Sequence, residues 1–208
     1  MLKKTFILGL LPALLVMLSG SLAQATYLYP FHVFTANGDY FDSTELNMYM
    51  VVSNGFEQVD FTFYNISSVQ SSLVRIYFVD GSLLDIASIT NGPGTSFSEV
   101  YPGPGNLPSG EMIGFVADGE LSIGAVAPPP ENGVNPPPPD EWVEINFDLV
   151  PGGTLEGVIS ELNSGVLRVG IHIIDLPDGS SESAIAIPEP ATVGILGLGV
   201  LTLLRRKR

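Results

Sequence analysis

His32 and His172 are the only imidazoles in the chain, and cysteine is absent. Disulfides, thiol nucleophiles and Cys-type zinc sites are therefore excluded together. Serines and acids are plentiful, so a Ser–His–Asp set exists by count, but no Gly-x-Ser-x-Gly elbow marks a nucleophile. His172 stands between Ile171 and Ile173 and is expected to be a strand residue facing solvent or a neighbouring turn. Glu141, Glu144 and Asp148 flank Trp142, and carboxylates beside an aromatic are what sugar-cleaving sites use. Such a pair needs a cleft and about 5–9.5 Å between the acids. An alternating strand with its charged face in water explains the same spacing, so no catalytic residue is assigned and the chain is not expected to be an enzyme. Asn37, Asp39 and Asp42 around Gly38, and Asp175, Asp178 and Glu182, offer oxygens of the kind calcium takes, in neither case with an EF-hand spacing. No metal site and no cofactor are assigned, with calcium the one cation these loops could hold. Tyr40, Phe41, Tyr49, Tyr64, Tyr101 and Trp142 could stack on pyranose rings if exposed. The Gly-Pro-Gly runs near Gly92 and Gly103 are breakers without a following helix, so they cradle no phosphate.

Charge narrows the partners. Of eight basic residues, only Arg75 and Arg168 lie between Thr26 and Ile187. The same span holds 21 acids, so its net charge is −19. A surface of that sign repels phosphate backbones and excludes nucleic acid as a partner.

The elements that must position these groups read mostly as strands. Leu46 to Ser53, Val59 to Tyr64 and Trp142 to Val150 alternate with period two, with Val143, Ile145, Phe147 and Leu149 on one face. Leu73–Val79, Leu83–Ile89, Glu111–Ala117, Glu120–Val126 and Val166–Ile174 are further apolar runs. Asp80-Gly81 and Asp118-Gly119 suit tight hairpins, which would pair Leu73–Val79 with Leu83–Ile89 and Glu111–Ala117 with Glu120–Val126. Between Thr154 and Ser164, Leu155, Val158, Ile159 and Leu162 have helical spacing, with Thr154 as cap and Gly165 as stop. The proline clusters at 128–130 and 136–139 predict an extended, exposed loop over 127–141. Fold class is therefore all-β: an antiparallel, jelly-roll-like β-sandwich over residues 26–187 with one short helix.

The two ends are of a different kind. Lys3 and Lys4, the apolar stretch Phe6 to Leu18 and the small residues Ala23 and Ala25 have the form of a secretion signal over residues 1–25, cut by signal peptidase before Thr26. At the back, residues 191–204 form an apolar run of 14. As a helix it is roughly 21 Å long against a hydrocarbon core of about 30 Å, so it would only just cross a membrane. Arg205, Arg206, Lys207 and Arg208 then stop transfer. Pro188-Glu189-Pro190 sets a stiff, non-helical segment just outside.

Pro188-Glu189-Pro190, the glycine-rich apolar run and the terminal basic cluster, in that order, resemble the PEP-CTERM sorting signal of Gram-negative bacteria over residues 188–208. The resemblance implies recognition by exosortase, a membrane transpeptidase-like protease, and processing near the Pro-Glu-Pro. It also implies transient residence in the inner membrane, then delivery to the cell envelope, outer surface or an extracellular matrix rich in exopolysaccharide. Leu167-Arg168-Val169-Gly170-Ile171-His172 with Asp178-Gly179-Ser180-Ser181-Glu182-Ser183 is similar to the last strand pair of a group of such proteins, which implies a sandwich ending near Ile187. The expected role is non-catalytic and structural, linked to exopolysaccharide; the alternative is a carbohydrate-binding module of the cell envelope.

Overall fold

The computed structural model describes residues 25–41, 43–55, 58–100, 105–119, 121–136 and 141–188. Among them the chain forms ten strands: β1 (Thr26–Val33), β2 (Met48–Asn54), β3 (Gln58–Asn65), β4 (Ser72–Val79), β5 (Leu83–Asn91), β6 (Phe97–Glu99), β7 (Ser122–Ala125), β8 (Trp142–Leu149), β9 (Arg168–Ile174) and β10 (Glu182–Ala186). A helical turn, α1 (Pro129–Asn132), precedes β8, and α2 (Leu155–Ser164) precedes β9.

Every pairing is antiparallel, in the order β5-β8-β3-β2-β1-β10-β9-β4-β7-β6. β1 is the fold line. Its first half, Thr26 to Pro30, pairs with β2, and its second half, Phe31 to Val33, pairs with β10. The sheet thus doubles over into two faces. The free edges β5 and β6 meet on the far side, where the Asn91 side chain accepts from the Phe97 N–H at 2.7 Å and donates to the Phe97 carbonyl at 3.2 Å. The result is an antiparallel sandwich close to a flattened barrel, as its alternating strands predict.

Between the faces lies an aromatic core. Phe61, Phe63 and Phe147 from one face meet Phe78 from the other, all fully buried. Phe78 stands edge-on to Phe61, Phe147 and Phe63, with ring centroids at 5.5, 4.7 and 6.4 Å. Edge-to-face pairs add about 0.5–1.5 kcal/mol each to the burial itself. α2 buries Leu155, Val158, Ile159 and Leu162. The Thr154 hydroxyl accepts from the Gly157 N–H at 3.1 Å, and Gly165 ends the helix at φ 74, both as the sequence predicts.

The two hairpins are overturned. β4 pairs with β7 and β9, and β5 pairs with β8 on the opposite face, so Asp80-Gly81 carries the chain from one face to the other. Six of eight β4 residues are buried on both sides of the strand, and a strand covered twice needs a central place with a neighbour on each edge. Glu111–Ala117 is not a strand. Gly110–Ile113 forms a 3-10 turn between Ser109 (φ 60) and Gly114 (φ 61), and Leu107 and Phe115 pack on the backbone of Gly170. There the side-chain slot is empty because the residue is glycine: an added Cβ would sit 2.6 Å from Leu107 Cδ2.

Within the stretch 127–141, the described residues 127–136 pack on the fold where the prolines predict an exposed loop. Val134 is fully buried, and it exchanges backbone hydrogen bonds with Leu73 at 3.0 and 3.1 Å. The Asn65 amide donates to the Val134 carbonyl at 3.0 Å, and the Ser72 hydroxyl to the Pro130 carbonyl at 3.0 Å. A single apolar residue with buried polar partners anchors a segment whose composition alone reads as solvent-exposed.

Candidate functional site

Three places gather the residues with chemical potential. The first is the outer surface of β1, β2, β3, β8 and β5. Cross-strand register places Pro30, Tyr49, Tyr64 and Trp142 in one row. Tyr49 and Tyr64 stack with centroids 5.0 Å apart and planes 19° from parallel. Burial, then the nearby Tyr49 and Glu144, push the Tyr64 phenol above its ordinary pKa of 10.0, so it stays a neutral donor. On β3, β8 and β5 the next rows along the same surface are polar. The Thr62 hydroxyl donates to Glu144 at 3.0 Å, the Asn146 amide to Asp60 at 2.6 Å, the Ser88 hydroxyl to Asn146 at 2.7 Å and the Gln58 amide to Asp148 at 2.8 Å. Val143, Ile145 and Phe147 alternate inward, as their period of two predicts, which is why Trp142, Glu144, Asn146 and Asp148 share the outer face. Glu141 is drawn away from that set, accepting from the Asn135 N–H at 2.7 Å. Tyr40 is buried, Phe41 is exposed outside the row, and Tyr101 lies outside the described residues.

The second place joins two acid sets whose contacts span 139 to 145 residues of sequence. Glu182, fully buried at the start of β10, accepts from the Thr35 hydroxyl and from the backbone N–H groups of Asn37 (3.1 Å) and Gly38 (2.8 Å). Asp178 accepts from the Asp39 N–H at 3.2 Å and from both the N–H and the hydroxyl of Ser180, and these hydrogen bonds hold its carboxyl below the usual range. Asp175, at φ 62, accepts from the Gln70 amide at 2.8 Å. These carboxylates are turned to amide and hydroxyl donors. Among the described residues no three His, Asp or Glu side chains converge as a metal site, and Asp42 lies outside them.

The third is the row Arg75, His172, Ser183 on β4, β9 and β10. His172 is half-buried, and burial lowers its pKa below 6.5, with the Arg75 charge acting in the same direction. Arg75 Nη1, His172 Nδ1 and Ser183 Oγ are buried and, among the described residues, have no hydrogen-bond partner. Ser183 thus stands opposite His172 without forming the hydrogen bond a nucleophile–base pair requires. His32 is exposed on β1, with β10 between it and β9.

The end of the fold completes the geometry. Ile187 donates its N–H to the Pro30 carbonyl at 3.0 Å, and exposed Pro188 follows directly. Pro188 borders a groove of about 250 Å³ between α2 and β10, lined by Tyr29, Leu162, Asn163, Arg168 and Ile185. Burial, with a contribution from Tyr27, pushes the Tyr29 phenol up to about 12, and it donates to the Asn163 side chain at 3.2 Å. Exposed Ala25 precedes Thr26, the first residue of β1. Thr26 is four residues, roughly 13 Å of strand, from Pro30. The expected cleavage point and the tail therefore leave the sandwich at the same end. Ala23, Glu189, Pro190, the apolar run 191–204, Arg205, Arg206, Lys207 and Arg208 lie outside the described residues. Among the described residues no helix is long and apolar enough to cross a membrane.

Comparison with known proteins identifies this end. Residues 186–208 match the PEP-CTERM protein-sorting motif, so the chain carries the sorting signal its tail resembles. No curated protein and no solved structure matches the chain. The motif marks an exported protein, targeted to the cell surface and processed by exosortase.

Proposed function

We propose that the chain, released from a signal peptide by signal peptidase and held briefly in the inner membrane by residues 191–204, becomes a non-catalytic component of the cell envelope or extracellular matrix. We further propose that its outer β2–β3–β8 face contacts exopolysaccharide. The observation that carries this reading is a sorting motif joined without a spacer to a closed sandwich whose open face bears the Tyr49, Tyr64, Trp142 row. Sugar rings offer apolar C–H surfaces and hydroxyl edges. An aromatic row beside hydroxyl, amide and carboxylate groups answers both. The carboxylates of this face lie on an exposed sheet surface, bonded to Thr62, Asn146 and Gln58, and not across a cleft, which favours binding over hydrolysis. The reading needs no cofactor.

Affinity electrophoresis of the secreted protein through gels containing the host's exopolysaccharide tests it. Retardation is expected, and Trp142→Ala and Tyr64→Ala should weaken it about tenfold, the loss of one stacking contact of about 1–1.5 kcal/mol. Equal mobility of wild type and both variants counts against the face. Release of reducing ends from the polysaccharide counts against a non-catalytic role.

A further inference from the structure

We infer that exosortase grips the folded domain as well as the tail, docking on the groove beside Pro188. This rests on the exosortase reading of residues 186–208.

The sorting match overlaps the fold. Ala186 is the last residue of β10, and Ile187 is bonded to Pro30, so the first two matched residues belong to the sheet. β10 is paired on both edges, with β1 and with β9. A protease that takes its substrate as an extended strand needs a free edge, and β10 is paired on both sides as far as Ile185 while the domain is folded. The apolar run begins at residue 191. The three steps from Pro188 to Ala191 span at most about 11 Å. An enzyme embedded around that run and acting near Pro188 to Pro190 must touch the end of the sandwich.

What it meets there has the form of a receptor. The groove of about 250 Å³ has an apolar floor, Leu162 and Ile185, beside a buried phenol, Tyr29, with the Asn163 amide on its wall. Val166, 55% exposed, follows the groove-lining Gly165, and Ile187, 40% exposed, precedes the groove-lining Pro188. Exposed apolar residues that ring a groove mark a contact surface, and this one is continuous with the enzyme's own recognition sequence.

The test follows processing of the full chain by pulse-chase in cells that express the exosortase. Ser164→Trp puts an indole on the groove wall; Ser164 is exposed and its hydroxyl donates within its own helix, to the Glu161 carbonyl. A six-residue Gly-Ser insertion between Ile187 and Pro188 removes the fixed distance between groove and tail. Both should slow processing about tenfold with Tm unchanged. If Ser164→Trp lowers Tm, Val166→Asp on the exposed rim takes its place. Wild-type processing of either the groove variant or the insertion variant overturns the inference, as does faster processing of the insertion variant, which would make the domain an obstruction. Glu189→Ala separates the two levels. Its loss of processing sustains the exosortase reading whatever the groove does, and its normal processing removes that reading.

Discussion

Glu182 is the most informative single position. Its carboxylate is fully buried and gathers three donors from the loop after β1: the Thr35 hydroxyl and the N–H groups of Asn37 and Gly38. Replacing it with alanine leaves those donors without an acceptor. A hydrogen bond to a charged group contributes about 1.5–3 kcal/mol, and a buried donor left unsatisfied costs about 1–3 kcal/mol. Asn37 is exposed and Gly38 half-buried, so water recovers most of their loss, whereas Thr35 is 2% exposed and as a donor keeps only the long contact to the Ser183 carbonyl at 3.5 Å. Relief of carboxylate desolvation offsets part of the total. The expected cost of Glu182→Ala is about 3 kcal/mol. For a domain of this size, roughly 2–4 °C of Tm per kcal/mol, the melting point should fall by roughly 6–12 °C. Glu182→Gln keeps one acceptor oxygen for the two amides and should lose about 1 kcal/mol. Urea unfolding in EDTA, with the denaturant slope unchanged, gives both values. An alanine variant within 1 kcal/mol of wild type would falsify the amide-acceptor role. A Tm that calcium raises in wild type but not in Glu182→Gln would mean that the carboxylate serves a cation.

Two further positions probe the other face. Burial holds His172 below its ordinary pKa, so as pH falls below about 6.5 the unfolded chain takes up protons that the folded chain refuses. Stability is therefore complete above that pH and drops below it; the wild-type urea midpoint should fall relative to that of His172→Gln between pH 7.5 and 5.5, and a difference that stays constant at pH 7.5, 6.5 and 5.5 would show the reasoning to be mistaken. Gly170→Val would drive a side chain into Leu107 and Phe115, costing about 1–3 kcal/mol and lifting residues 105–117 from the sheet. Burial keeps the Tyr77 phenol above its ordinary 10.0, so ultraviolet titration of this variant should show a phenol returned toward that value, and an unchanged titration curve would argue that the segment stays docked.

How much was legible divides along a physical line. Whatever depends on near neighbours in sequence was readable. Period-two alternation assigned inward Val143, Ile145 and Phe147 against outward Trp142, Glu144 and Asp148, and four apolar residues at helical spacing between Thr154 and Gly165 made α2. The sorting tail was readable for the same reason: an enzyme reads it as a linear string, Pro188-Glu189-Pro190 then apolar then basic, with no folding needed to assemble it. What depends on which strand lies beside which was not. Asp80-Gly81 has hairpin chemistry, but turn chemistry is local and strand partnership is not. The doubly buried β4 took β7 and β9, because covering both its faces outweighed the short connection to β5. The row of Tyr49, Tyr64 and Trp142 required three strands in register, and two sets of acids read as separate loops became one cluster only when β10 aligned with β1. The sequence by itself determined the destination of this protein and the inward face of most of its strands, because address and alternation are written in consecutive residues. Only the tertiary structure decided that Glu182 would spend its charge on the Asn37 and Gly38 amides and that the tail would leave beside a groove, because both rest on contacts between segments about 20 to 150 residues apart.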